Sequence, residues 1–404
     1  MSPLSAAFAA ILDPSGRADP YPLYRALRES GPEHIDETGL WIFSDHATCS
    51  AVLRDPRFSA DYEHRTRRFR AEPLSSIPPA AAFLIDPPDH TRLRGLVSKA
   101  FTPRMVEQLR PGIQQLVDEL LDELEKQEAV DLIADFAYPL PVTVGADMLG
   151  VPVEEPAEFR RRTQDAAAML EPIRSAEMIE RAEESSAWFF EFFQRLIPER
   201  RAHPRDDLLS ALVAAEEAGD KLTETELITT CIGLLIAAHE TTRNLIGNGM
   251  LALLRHPDQL SLLRRQPELI RSAVEELLRY DTAIQLTSRV ATEAVAIGDV
   301  SIAPEEDALI FIAAANRDPA VFPDPERLDI TRRDNHHLSF STGAHYCLGA
   351  ALARVEGQVA IETLVRRYPD MRLVDGDVRW RDSVTLRGLH ALPLQLEPAG
   401  STPA

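Results

Sequence analysis

The residues best suited to chemistry cluster at Phe340-Ser341-Thr342-Gly343-Ala344-His345-Tyr346-Cys347-Leu348-Gly349, directly ahead of an Ala-rich helical pattern over residues 350–365. A cysteine at the N-terminal end of a helix meets unpaired backbone N–H groups and the positive end of the helix dipole, both of which favour thiolate over thiol. That suits a sulfur that ligates a metal. Gly343 and Gly349 let the backbone turn sharply and come close to a flat ligand, and Phe340 supplies an apolar wall beside the sulfur. Two other readings stay open on these residues. Cys347 fits a buried, inert thiol at a helix start. His336, His337, His345 and Cys347 also offer zinc-type ligands, although no second CxxC or HxxxH completes a tetrahedron.

Two further patterns break their surroundings. Ala237-Ala238-His239-Glu240-Thr241-Thr242 places an acid and two alcohols inside an apolar helical stretch, where polar groups carry a desolvation cost unless they serve a purpose. Thr back-bonding to the preceding turn, with Glu240 capping a salt bridge, is the structural alternative. Glu276-Leu277-Leu278-Arg279 spaces an acid and a base three apart on a helix, a pair worth only about 0.2 to 0.5 kcal/mol on a surface.

Taken together, Phe340-x-x-Gly343-x-His345-x-Cys347-x-Gly349, Glu276-x-x-Arg279 with Arg327, and Ala238-x-Glu240-Thr241 resemble the cytochrome P450 family of haem-thiolate monooxygenases along nearly the whole chain. The resemblance implies the P450 fold, mainly α with small β-sheets, with haem b buried between the long central helix and the Cys loop. It makes Cys347 the axial iron ligand, whose sulfur pushes electron density through iron to favour O–O cleavage. Glu240 and Thr241 become the acid–alcohol pair that relays protons to iron-bound O2, a general-acid role. Glu276, Arg279 and Arg327 become a buried structural triad. His90, Arg94, Arg289 and His345 match the family's propionate-binding positions, with Phe340, Gly343, Gly349 and Ala238 as further haem contacts. Leu234, Ala238, Ile284, Leu286 and Leu389 become the substrate wall, which implies a hydrophobic substrate. One departure is Ala238, where the family usually has glycine; a methyl there is expected to crowd the groove for O2. Residues 57–82 and 170–184 match the family's variable lid elements.

The elements that must position these groups are mostly helical. Apolar residues recur at three- and four-residue spacing over residues 106–128, 176–197, 224–254 and 267–280. Strand patterns are short, at residues 41–44, scattered over 287–312, and at 390–396. Nothing marks an interior boundary, so one domain over residues 1–404 is expected.

Composition narrows the classes. With 43 Lys+Arg against 64 Asp+Glu, the net charge of −21 speaks against a nucleic-acid partner. The acidic excess lies mainly in residues 118–226, whereas 54–110 and 331–404 are neutral to basic. Three scattered cysteines indicate no disulfide framework and point to the cytoplasm, and the longest apolar run, residues 232–238, is too short to span a membrane. The flavin- or nicotinamide-binding GxGxxG pattern is absent, so electrons from NAD(P)H are expected through an external ferredoxin or flavodoxin and its reductase. An acidic ferredoxin would meet the basic thiolate face around Arg94, Lys99, Arg104 and Arg354. A monomer that oxidises a secondary metabolite, terpenoid, steroid or polyketide is the expected protein. A haem-binding sensor or carrier without turnover is the alternative, for which Ala238 alone speaks.

Overall fold

The computed structural model describes residues 3–35, 39–61, 85–99, 101–127, 129–152, 156–171, 175–217, 222–374 and 378–396. Its axis is a 32-residue helix, Glu224–Arg255, about 48 Å long at 1.5 Å per residue. A capping box starts it: the Thr223 hydroxyl accepts from the Glu226 amide at 3.2 Å, and the Glu226 carboxylate accepts from the Thr223 amide at 2.8 Å. Apolar residues surround most of this central helix, so it has no solvent face and is buried on nearly every side. Helices Pro139–Leu149, Ala176–Ala202, Ile270–Tyr280 and Ala350–Arg367 pack around it. Close approach depends on glycine, because a methyl on Gly357 would stand 3.0 Å from Leu245. Among the described residues no helix is long and apolar enough to cross a membrane.

Helix Pro103–Leu124 is capped by Thr102, whose hydroxyl accepts from the Met105 amide at 3.3 Å, and it packs along Ala350–Arg367. Both expected long helices on this side are present, and residues 267–280 divide into a short 3₁₀ turn and helix Ile270–Tyr280.

The sheets are small. The largest runs Glu33–Ile35, Leu40–Phe43, Asp307–Ile310, Thr287–Ala291, Phe58–Ser59, with Leu40–Phe43 and Asp307–Ile310 parallel and the other pairs antiparallel. Val130–Asp131, Pro393–Gln395 and Arg372–Leu373 form a second sheet, and Val295–Ile297 with Val300–Ile302 a hairpin. The expected strands are all here. Glu33–Ile35, Phe58–Ser59, Val130–Asp131 and Arg372–Leu373 were not anticipated, because two or three residues are too few to display an alternation. Of the expected lid elements, residues 62–82 and 172–174 lie outside the described residues.

Candidate functional site

The Cys loop is a turn built against a neighbouring helix. Ser341 and Gly343 adopt left-handed backbone, at φ 59° and 74°. A Cβ on Gly343 would stand 2.6 Å from the Leu53 carbonyl oxygen, so the loop seats directly on the end of helix His46–Arg54. The chain then doubles back, the Cys347 amide donating to the Phe340 carbonyl at 2.8 Å, and helix Ala350–Arg367 begins three residues on. Cys49 and Cys231 are buried, whereas Cys347 is exposed. Protein nevertheless encloses much of its surroundings. That enclosure decides its charge: burial pushes the thiol up, outweighing the Gly349 amide, Arg94 and Arg354, which favour thiolate. The helix start therefore does not by itself give the expected thiolate, whereas the charge of a bound metal ion does deprotonate a coordinating thiol.

Two arginines and two histidines gather near this turn. His90, on helix Asp89–Val97, and His345 face each other with ring centroids 4.2 Å apart. Arg94 donates to the Tyr346 carbonyl at 2.5 Å, and Arg289 is buried on Thr287–Ala291. Burial, then Arg289 and His90, push His345 down to about 3, and burial and Arg94 lower His90. Asp86 is the carboxylate that acts on both histidines, and it is already bonded to the Ser59 hydroxyl and the Ala60 amide. Two arginines and two histidines held in their neutral form near the Cys347 turn fit a ligand that brings a metal together with carboxylates, as haem does. Gly349 adds to that fit, because a Cβ there would stand in open space.

The zinc-type set does not assemble. The His336 carbonyl faces the His46 ring, the His337 ring meets Glu275 at 3.1 Å, and His345 stacks on His90. Among the described residues no three His, Cys, Asp or Glu side chains converge as metal ligands.

On the central helix, the Thr241 hydroxyl bonds back to the Ala237 carbonyl at 3.0 Å. Glu240 is buried and accepts from Arg243 at 3.1 Å and from Arg381. Burial works to raise its carboxyl, but Arg381 and Arg243 together hold it below the usual carboxylate value. The i,i+3 spacing could have revealed Arg243; no local signal reveals Arg381, which lies 141 residues further along the chain. Ala238 does not simply crowd an O2 groove. Its methyl lies 3.2 Å from where a Cβ on Gly145 would be, so glycine on the adjacent helix Pro139–Leu149 makes room for it, and the α-helix runs unbroken past Thr242.

Three other expectations change. Glu276, fully buried, accepts from Arg279 Nε and Nη2 at 2.8 Å each and from Arg332 Nε at 3.1 Å. The third arginine is thus Arg332: Arg327 is exposed and contributes only its carbonyl, 3.1 Å from Arg279 Nη2. Leu286 packs in the sheet-side core with Tyr24, Ile42 and Phe311, and Leu389 is buried in the main core. Ile284 and Ala238 are half-buried, whereas Leu234 is buried in the same main core as Leu389, so three of the five expected wall residues pack in the core. Arg354 is not a free docking cation. It holds Glu275 at 2.6 and 2.8 Å, meets the Tyr346 hydroxyl at 3.2 Å and lies over the Phe340 ring, bracing the Cys loop from behind. Lys99 and Arg104 are exposed.

The family model for cytochrome P450 matches residues 62–377. Cytochrome P450 CYP107DY1 of Priestia megaterium is 42% identical over 368 residues, covering 88% of this chain and 89% of that protein. The polyketide biosynthesis cytochrome P450 PksS of Bacillus subtilis is 39% identical over 393 residues, covering 94% of this chain and 96% of that protein. The crystal structure of Mycobacterium smegmatis CYP164A2 with econazole bound superimposes with a TM-score of 0.92 at 42% identity, covering 97% of this chain and all of that one. A family match over most of the sequence, relatives alike along nearly their full length and a shared backbone lead to one conclusion: the chain belongs to the cytochrome P450 family and is a monooxygenase.

Proposed function

We propose that this monooxygenase inserts one oxygen atom of O2 into a hydrophobic small molecule of secondary metabolism, with electrons from NAD(P)H delivered by a separate reductase and a ferredoxin or flavodoxin. The observation that carries the reading is the exposed Cys347 sulfur beside the cluster of His90, Arg94, Arg289 and His345. Bound haem with a thiolate ligand supplies reductive activation of O2. Cys347 is the iron ligand, and the Gly349 amide that bonds to its sulfur tunes its basicity. Arg94 and Arg289 hold the propionates by charge, and His90 and His345 by hydrogen bonds. Phe340, Gly343 and Gly349 shape the thiolate side. Thr241 and Glu240 move protons on the opposite side, Thr241 by releasing its bond to Ala237. Ile284 and Ala238 support an apolar substrate, and the homologue named for polyketide biosynthesis supports the compound class. Lys99 and Arg104 suit an acidic electron donor. The relatives named as a monooxygenase and a hydroxylase support turnover over the alternative of a sensor or carrier.

The CO adduct of the reduced protein tests the ligand: it should show the red-shifted Soret band of thiolate ligation, and Cys347→Ser should lose it. Thr241→Ala should keep that band and divert reducing equivalents to peroxide during turnover of terpenoid, steroid and polyketide substrates with a surrogate ferredoxin and reductase. A histidine-type spectrum, or unchanged product per electron in Thr241→Ala, would overturn the corresponding assignment.

A further inference from the structure

We infer that Arg381 is a positioning residue for proton transfer, holding Glu240 in place from a loop that Glu171 fastens. The inference rests on the proposed proton role of Glu240. Both arginines bind the same oxygen, Glu240 Oε2, but their settings differ. Arg243 is immobile: its side chain is 2% exposed and its Nη2 donates to the Leu389 carbonyl at 2.7 Å. The Arg381 side chain is 18% exposed and reaches Glu240 from the loop between Trp380 and Leu389, which bridge each other. The second carboxylate oxygen, Oε1, is buried and has no hydrogen-bond partner among the described residues, which leaves it as the atom to take up and give back a proton.

The loop is itself fastened to a buried carboxylate. Glu171 accepts from the Ser383 hydroxyl, from the Val384 amide at 3.0 Å and from the Thr385 amide at 3.4 Å, while the Thr385 hydroxyl donates to the Leu170 carbonyl at 3.1 Å. Three consecutive residues of one loop thus converge on one acid just two positions from Arg381. Glu171 follows the 3₁₀ turn Ala168–Leu170, in the region expected to vary with substrate. The same loop is pinned on its other edge to the substrate-side segment, the Gln285 amide donating to Thr385 and the Arg387 amide to Ala283. A change at residues 168–171 therefore reaches Glu240 through one short, hydrogen-bonded path.

The groups around Glu240 that can titrate or carry charge are His239 and Arg243 on its own helix, Arg379, Arg381 and His390 from the terminal region, and Tyr138 and Arg160 from the elements packed on the other side. Burial keeps His239 near 4, so it is neutral at pH 7 and the two clamping arginines set the acid's charge.

Infrared pH titration of the resting holoenzyme tests this, taking the protonated-carboxyl stretch of Glu240 as the difference from Glu240→Gln. Arg381→Gln should move the titration midpoint of Glu240 up by about 1 to 3 pH units. Arg381→Lys should restore it, and Glu171→Gln should move it the same way by less. The pH profile of product formed per electron should move with the midpoint. An unmoved midpoint in Arg381→Gln overturns the clamp, and a moved midpoint in Arg381→Gln with none in Glu171→Gln overturns the fastening. If Glu240→Gln leaves product per electron and the solvent isotope effect unchanged, the proton role falls, while the infrared midpoint still decides the clamp.

Discussion

The Glu276 network separates two arginines that the sequence makes look interchangeable. Glu276 receives five hydrogen bonds, two from Arg279, one from Arg332, one from the Asn335 side chain at 3.1 Å and one from the Asp329 amide at 2.9 Å. Replacing Glu276 by Ala leaves Arg279 buried with no countercharge beside a second arginine, a loss of roughly 3 to 5 kcal/mol. Arg332→Ala removes its buried bond to Glu276 and an exposed one to the Pro323 carbonyl but leaves Glu276 paired with Arg279, so about 1.5 to 3 kcal/mol should be lost. Arg327→Ala removes an exposed side chain and keeps the carbonyl that Arg279 uses, so stability should stay within about 0.5 kcal/mol. Urea denaturation of the holoprotein, followed by far-ultraviolet dichroism and by the Soret band, reads all three. Because Asp329, Arg332 and Asn335 lie on the stretch that leads into the Cys loop, the Soret signal should fall at lower urea in the order Glu276→Ala, Arg332→Ala, Arg327→Ala. Equal losses from Arg327→Ala and Arg332→Ala would refute the assignment of Arg332 as the third partner.

Gly343→Ala should cost about 1 to 2 kcal/mol for the left-handed backbone and about 1 to 3 kcal/mol more for the clash with Leu53; haem retention and thermal unfolding measure it, and a wild-type midpoint would contradict the loop seating. Arg354→Glu should lower stability at every ionic strength by setting two carboxylates together with Glu275, whereas Arg104→Glu should leave stability alone and slow reduction by ferredoxin mainly at low salt. Stopped-flow reduction and denaturation together separate these outcomes. Burial tends to raise Glu275, but its bonds to His337 and Arg354 hold it at about 2, below its ordinary 4.5. A carboxyl lowered on folding stabilises fully above pH about 4.5, and that contribution disappears as pH falls toward about 2. Glu275→Gln should therefore be less stable than wild type at pH 6, with the gap closing toward pH about 2; a gap that does not depend on pH would show that Glu275 packs without acting as a charge.

Features set by neighbours along the chain were legible before any fold was known. The glycines and cysteine of residues 340–349, the capping box and apolar run of the central helix, and the acid and alcohol within it act through turns and helical spacing. Backbone geometry relates residues a few positions apart in the same way wherever the segment lies. Which distant groups meet depends on the packing of the whole fold. Glu276 selects Arg332 over Arg327 because the chain between them turns one side chain inward and the other outward. Glu240 finds Arg381 from a terminal loop, Arg354 turns inward onto Glu275, and Leu286 and Leu389 become core. The same reason governs Ala238, whose methyl is accommodated by a missing side chain at Gly145 on another helix. Which partner satisfies a buried charge, or which neighbour vacates a methyl's space, depends on how helices far apart in sequence pack, and no local pattern encodes that.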